Sequence, residues 1–372
     1  MVLQSSAVEK MVNTVTTASP NFWKDRQVLL TGHSGFKGAW MALWLAKMGA
    51  RVTGISLSPD TVPSLFELAD VANITRSHFV DIRDAGAVLG IVKEAKPEFV
   101  FHLAAQSLVR PGYRDPLQTF ATNVMGTANV LNALRGIDAV RVVVAITTDK
   151  VYKNLESVYP YRETDSLGGH DPYSASKAAS EMVISSFRDS YLAEQGVAVA
   201  SARAGNVIGG GDWSESRLIP DAVRAWTMGS VLEIRRPDGV RPWQHVLEPI
   251  NGYLVLAEKL YTDESLSGAY NFGPQTYQTA SVRKVIEIAH KCFGSGGVSW
   301  GNGLSGPKEA GLLSLEISKA RELLAVTPRW NLEESIERTI RWYKSQINSI
   351  SAQALCESDI SEFTGSLEVS NQ

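Results

Sequence analysis

Short, wholly apolar runs alternate with longer helical stretches through the first two hundred residues of the chain. Val28-Leu29-Leu30, beginning at Gln27, has no helical period and reads as a buried strand. After Thr31-Gly32, the stretch 39–48 is an apolar helix, and Gly49 suits the left-handed turn that ends one. Residues 51–57 form the next strand, so the first thirty structured residues make one βαβ unit. The alternation goes on: His78-Phe79-Val80, a helix over 85–95, and the fully apolar strand 99–103 of the kind buried on both faces. A long helix is expected over about 116–135, a strand over 140–147, a helix over about 172–194 and a strand over 197–202. Such a run predicts an α/β fold built on a doubly wound parallel sheet, the Rossmann arrangement.

After Gly205 the pattern changes. Glycine, tryptophan, proline and arginine become frequent, as in Gly209-Gly210-Gly211-Asp212-Trp213 and Arg241-Pro242-Trp243. This reads as a smaller C-terminal α/β substrate-binding region laid over the carboxyl ends of the strands, where such sheets bind ligands. The expected division is a flexible N-terminal extension at 1–21, a nucleotide-binding domain at 22–205, a mainly substrate-binding region at 206–348 with segments returning to the first domain, and a flexible, acidic, serine-rich tail at 349–372.

Composition narrows the function. Of 372 residues, 44% are hydrophobic and 20% charged, the balance of a globular protein. A net charge of -3 gives no general attraction to nucleic acid or to anionic membranes. No apolar run reaches the length of a membrane span, and the polar start lacks a signal-peptide core, so a cytoplasmic protein is expected. The two cysteines, Cys292 and Cys356, and the six histidines show no metal-binding spacing, and no metal is expected.

Thr31-Gly32-His33-Ser34-Gly35-Phe36-Lys37-Gly38 places glycines at GxxGxxG between a strand and a helix. Glycine permits the tight turn and the close approach of a pyrophosphate, and the helix N-terminus directs its amides at that phosphate. This context points to a dinucleotide, with Gly32, His33, Gly35, Phe36 and Gly38 as expected contacts. The second strand ends in Ser56 rather than the carboxylate that usually bonds a ribose, with Asp60 farther on. Asp81, followed by Ile82, is placed either to meet an adenine or to make a turn.

The stretch Asp171-Pro172-Tyr173-Ser174-Ala175-Ser176-Lys177 supplies the chemistry. Asp171 caps a helix and Pro172 fits its first turn. Tyr173 and Lys177, four apart, share one helical face. A phenol is a poor base at neutral pH, and a nearby ammonium is expected to lower its pKa. The preceding strand ends in Thr148-Asp149-Lys150, which puts a hydroxyl, an acid and an amine beside the same site. Thr148 alone would serve a dehydrogenase or epimerase, whereas Asp149 and Lys150 add groups suited to an elimination.

On these motifs the chain resembles the extended short-chain dehydrogenase/reductase family over roughly residues 22–345, and within it the nucleotide-sugar 4,6-dehydratases. The stretches 31–38, 102–106, 148–150, 204–213 and 241–245 resemble the branch whose substrate is CDP-glucose. The resemblance implies NAD as cofactor, with Leu103, Ala104 and Ala105 among its contacts and Tyr173 and Lys177 at its nicotinamide ribose. It implies C4 oxidation, C5/C6 elimination and hydride return to C6, in the service of deoxysugar and O-antigen biosynthesis. Tyr173 would be the base for the 4-hydroxyl, Asp149 the acid for the departing 6-hydroxyl and Lys150 the acceptor of the C5 proton. Gln106, Asn206 and Arg241 would hold the substrate, Arg241 at its pyrophosphate, and His102 would order a loop. Where related enzymes carry a further arginine, this chain has Lys308 and Glu309, candidates for contact with cytosine or ribose. A homodimer is implied through the helices near 116–135 and 172–194, although their apolar faces would also fit the monomer's own core. The rival readings are a dehydratase or epimerase of another nucleotide sugar, such as UDP-GlcNAc or GDP-mannose, and a non-catalytic NAD-binding regulator.

Overall fold

The computed structural model describes residues 16–302 and 311–365. Seven strands form one parallel sheet: β1 (Gln27–Thr31), β2 (Arg51–Ser56), β3 (Thr75–Phe79), β4 (Phe99–His102), β5 (Val142–Ile146), β6 (Ala198–Ala204) and β7 (Gly268–Phe272), in the order β7-β6-β5-β4-β1-β2-β3. Every pairing is parallel. Strand order reverses between β1 and β4, and Thr31 pairs with both Ile55 and His102, so the glycine loop leaves the sheet at the crevice where ligands bind such folds.

The central strands are apolar on both faces because helices cover both. On one face lies α1 (Phe36–Lys47), apolar almost all round and correspondingly buried. The other face holds a second core, in which Val88, Ile91, Val130, Leu131 and Ile184 meet Leu29, Val100, Val143 and Val199. The long helices there are each broken by one wider turn. Pro116–Phe120 and Gly126–Ala133 are joined by the π turn Ala121–Met125, and α2 (Pro172–Phe187) runs on into the π turn Arg188–Leu192. The first π turn carries buried Asn123, which donates to Ser176 Oγ (2.8 Å) and to the Gln106 carbonyl (3.0 Å), tying the loop after β4 to α2.

Beyond β6 the chain makes three two-stranded ribbons, pairing 207–208 with 244–245, 231–234 with 297–300, and 240–241 with 280–281. Between them α3 (Leu247–Thr262) returns to pack on β5 and β6, and β7 completes the sheet.

Both ends correct the expectation of flexible termini. The segment expected as a tail contains a helix, α5 (Ala352–Thr364), that packs on α1 and on α4 (Leu332–Ile347). Its Cys356, Ile360 and Phe363 are fully buried, Phe363 lying edge-on to Trp44 and Trp330. Serine and acidic residues hid this apolar stripe, whose charges are partly matched by Arg338 and Arg341 on α4. In the expected N-terminal extension, residues 16–21 are anchored: Ala18 N–H donates to Asn251 Oδ1 (3.0 Å) and Ser19 N–H to Glu258 Oε1 (2.7 Å), beside buried Trp23. The remainder of the extension, residues 1–15, and of the tail, residues 366–372, lies outside the described residues, as do Lys308 and Glu309.

Candidate active site

The glycine loop is shaped by two close approaches. Gly32 has φ +78°, and a Cβ there would lie 2.8 Å from the Ala104 nitrogen. A Cβ on Gly38 would lie 2.0 Å from the Gly32 carbonyl oxygen, so α1 can start against the loop only with glycine in that place. Gly35 differs: its Cβ would make only ordinary contact, and the space before it opens into a long cavity. That cavity runs past Ser56, Asp81 and Ile82 at one end and reaches Thr148, Tyr173 and Lys177 at the other. A cradle of loop amides with no side chain over it fits a dinucleotide pyrophosphate. Phe36, Leu103, Ala104 and Ala105 also line it, as expected.

His33 is not among the lining residues, which corrects its place as a cofactor contact. It is fully buried, its ring packed against Phe66 and Phe79 and its Nε2 3.0 Å from Ser77 Oγ. Gly54 leaves room for that ring, since a Cβ there would lie 2.4 Å from it. Burial pulls the imidazole down to about 4, so it stays neutral. Asp81 lines the cavity but makes a turn as well, its carboxylate accepting from the Arg83 backbone (2.8 Å) and guanidinium (2.6 and 2.9 Å). At the end of β2, Ser34 Oγ is 2.6 Å from Ser56 Oγ.

At the other end of the cavity, Asp171 caps α2 by accepting from Ser174 N–H (3.0 Å), with Pro172 in the first turn. Tyr173 and Lys177 then point together from one buried face. Lys177 Nζ donates to the Ile146 carbonyl (2.9 Å), the last residue of β5. Burial lowers this lysine to about 8, while Glu181, one turn farther on, opposes the fall. The Tyr173 phenol is raised by burial, and contacts with Thr148 and Arg217 pull it partly back. In the free protein the Lys177 ammonium donates to the β5 carbonyl, and Thr148 and Arg217 are the groups that pull the phenol back.

The turn after β5 brings the other groups in. Thr148 Oγ donates to Asp149 Oδ1 (3.0 Å) and also accepts from Lys150 N–H (3.4 Å). Asp149 is buried, and its Oδ2 has no hydrogen-bond partner. Burial raises its pKa, with Lys150, Thr148 and Arg241 opposing, which is the direction a proton donor needs. Lys150 Nζ lies 5.9 Å from the centre of the Tyr173 ring. The five expected catalytic residues therefore stand round one space.

A second cavity adjoins the first and shares Lys150, Asn206 and Arg217 with it. Arg235, Arg236 and Arg241 line its far side, a setting for a phosphorylated ligand. Asn206 and Arg241 both line this second cavity. Gln106 lines neither of these two cavities: in place of the expected substrate contact, its amide donates to Thr119 Oγ1 (3.0 Å) of the helix Pro116–Phe120 and accepts from Leu108 N–H (2.6 Å) of its own loop. His102 orders its surroundings as expected, between Thr31 Oγ1 (2.7 Å) and Thr127 Oγ1 (3.0 Å), and burial lowers it to about 3.

Two site residues escaped the sequence reading. Lys37 lines the first cavity, with Nζ 3.3 Å from the Tyr253 hydroxyl, and burial plus the nearby cations Arg217 and Lys177 lower it to about 7. The available signal was a lysine within an otherwise apolar, fully covered helix. Arg217 lines both cavities with its Nε buried and without a hydrogen-bond partner. It sits in a polar loop, and no periodicity marks it. Among the described residues no cluster of histidine, cysteine and carboxylate side chains is placed to hold a metal, and no helix is long and apolar enough to cross a membrane.

A parallel sheet with a glycine cradle at its switch point, facing a Thr–Tyr–Lys constellation, defines a nucleotide-dependent enzyme of the short-chain dehydrogenase/reductase type. The family model for GDP-mannose 4,6 dehydratase matches residues 29–339, and the chain belongs to that family of nucleotide-sugar dehydratases. It is 44% identical over 349 residues to the CDP-glucose 4,6-dehydratase of Salmonella typhimurium, covering 92% of this chain and 97% of that one. It is 27% identical to the dTDP-glucose 4,6-dehydratase of Xanthomonas campestris pv. campestris, over 85% of this chain and 92% of that one. The fold is also that of the epimerase Mth375 from Methanothermobacter thermautotrophicus, with TM-score 0.76 and 24% identity over 89% of this chain and 95% of that one.

Proposed function

We propose that this protein is a CDP-glucose 4,6-dehydratase that uses NAD to convert CDP-glucose to CDP-4-keto-6-deoxy-D-glucose and water. The observation that carries the chemistry is the buried, half-partnered carboxyl of Asp149 between Thr148, Lys150 and Tyr173. The choice of sugar nucleotide is supported by the 44% identity to the Salmonella enzyme, against 27% to the dTDP-glucose relative.

The residues divide the work as follows. Gly32, Gly35 and Gly38, with Phe36 and Leu103 to Ala105, hold the dinucleotide. When bound there, NAD supplies reversible oxidation, taking two electrons from C4 of the sugar and giving them back at C6. Tyr173 takes the proton of the 4-hydroxyl while Thr148 orients that hydroxyl. Once C4 is a ketone the C5 proton is acidic, and Lys150 removes it and later returns a solvent-exchanged proton to C5 as C6 is reduced. Asp149 protonates the 6-hydroxyl as it leaves, a role that a pKa raised by burial favours. Asn206 and Arg241 hold the phosphates from the second cavity. For the cofactor, NAD is favoured over its 2′-phosphorylated form by the Ser34–Ser56 contact at the ribose end and by the engagement of Arg83 with Asp81.

A homodimer fits an exposed apolar face on the two long helices. Leu117 is 81% exposed, Met125 57% and Met182 60%. A protein of this kind acts in the cytoplasm, on a soluble substrate, in the making of deoxysugars, O-antigen sugars among them. Turnover of CDP-glucose beside UDP-, dTDP- and GDP-hexoses tests the reading. It predicts a kcat/KM for CDP-glucose at least about a hundredfold above the others, and equal or better use of another base would move the assignment to that sugar nucleotide.

A further inference from the structure

Behind the catalytic strand lies a buried polar cluster that takes no part in the steps above. Glu181 is on the same helix as Tyr173 and Lys177, one turn beyond the lysine. Arg203 of β6 clasps it with two nitrogens, Nε at 3.0 Å and NH2 at 2.8 Å. Thr147, the residue before Thr148, donates to Glu181 Oε1, and Ser201 of β6 donates to Oε2 (2.7 Å). Arg203 in turn donates to the Tyr152 hydroxyl (2.9 Å) and the Glu163 carbonyl (3.1 Å), and Tyr152 donates to Asn271 of β7 (2.7 Å). The pair is almost wholly buried, each side chain 4% exposed. Burying such a pair gives little net stability against an apolar replacement, so its position asks for another account.

Its two contacts toward the site are specific. One is the hydroxyl of Thr147, which fixes the start of the Thr148-Asp149-Lys150 turn. The other is electrostatic: Glu181 is the charge that favours the protonated form of Lys177, against the burial that disfavours it. The other ionisable groups round Lys177 do not replace it. His102 on β4 is held neutral, Lys37 on α1 is cationic or neutral, and Tyr173 is raised. Four donors keep Glu181 ionised despite burial.

We infer that Glu181, clasped by Arg203, is a positioning residue for the proton transfer at Tyr173, acting through Lys177 along its own helix and through Thr147 on the neighbouring strand. It touches neither substrate nor cofactor. Its carboxylate is a fixed counter-charge that keeps the lysine cationic in a dry site, and its hydrogen bonds hold the acid–base turn at one height against α2. The inference rests on the catalytic reading for its consequence, but the charge on Lys177 is measurable without any reaction.

The test is the titration of the Lys177 side-chain nitrogen by NMR in the protein without substrate, its signal assigned by its loss in Lys177→Arg. Glu181→Gln should lower the midpoint by about one unit, a tenfold loss of the charged fraction above it. Glu181→Asp should restore part of it. Because Glu181→Gln strands a buried guanidinium, Glu181→Gln/Arg203→Gln is made beside it, and the midpoint should fall there too. In turnover, the alkaline limb of kcat should move down by the same amount with KM little changed, whereas a purely structural part would lower only the melting temperature. A midpoint that stays put in folded variants overturns the inference. Absence of turnover in the unmutated protein, with the midpoint shifted as stated, would instead reject the substrate reading and leave the inference standing.

Discussion

Thr148 grips one oxygen of Asp149 at 3.0 Å and leaves the other, Oδ2, buried and without a partner. Carboxyl groups kept from water in this way hold their proton to a higher pH than usual, and Asp149 lines the same cavity as Tyr173. Asp149→Asn keeps the size and the Thr148 contact but has no proton to donate. It should lower kcat by ~10²–10⁴-fold with KM changed little. Exchange of the C5 proton with solvent deuterium should survive in Asp149→Asn and be lost in Lys150→Met, which product mass spectrometry in deuterated buffer reads directly.

Two groups must keep a proton for turnover, whereas Tyr173 and Lys150, as bases, must lose one. Asp149 must be protonated to act, and its raised pKa means it loses that proton later than an ordinary aspartate as pH rises. Lys177 must be cationic, and its midpoint of about 8 is below that of an ordinary lysine. Both forms are lost as pH rises, Lys177 at its midpoint of about 8. The kcat of the enzyme should fall as pH rises through about 8, and steady-state rates across that range check it.

Gly35 and Gly38 should separate binding from folding. Gly38→Ala would push a methyl to 2.0 Å from the Gly32 carbonyl, so backbone must move, with a cost of about 1–3 kcal/mol or more and a lower melting temperature. Gly35→Ala meets only ordinary contact within the protein and should fold normally, yet its methyl stands in the cradle. Its NAD affinity should fall at least about tenfold, measured by calorimetric titration, with the melting temperature of the free protein unchanged.

The terminal helix is structural. Phe363→Ala empties a fully buried place between Trp44 and Trp330 and should cost about 3–5 kcal/mol in denaturant unfolding. On the opposite face, Met182→Glu together with Leu117→Glu puts charge on the exposed apolar patch. The unmutated chain should sediment as a dimer and the double variant as a monomer with its fold intact.

The sheet and the catalytic centre were legible because both rest on local signals. Wholly apolar strands separated by helices specify the parallel sheet, and the Tyr173–Lys177 spacing on a capped helix specifies which groups meet. What the sequence hid depends on contacts distant along the chain. Gln106 and His33 lie inside motifs that suggest ligand contact, but the Gln106 amide is engaged by Thr119 and Leu108, and the buried His33 ring reaches Ser77 through Nε2. Arg217, just before the helix Leu218–Thr227, lines both cavities beside residues more than a hundred positions earlier in the chain. Part of the Gly209-Gly210-Gly211 signal is packing: a Cβ on Gly210 would lie 2.0 Å from the Trp342 ring, a contact across more than a hundred residues. The serine-rich composition of the last segment masked the stripe of Cys356, Ile360 and Phe363, which becomes a core face only when α1 and α4 are in place.

The most direct test of the whole account is incubation of the purified protein with CDP-glucose and NAD in deuterated buffer, followed by mass and NMR analysis of the sugar. The account predicts a product lighter by one water, a ketone at C4, a methyl at C6 and deuterium at C5. A product of unchanged mass inverted at C4, or CDP-glucose recovered intact while another nucleotide sugar is consumed, would contradict it.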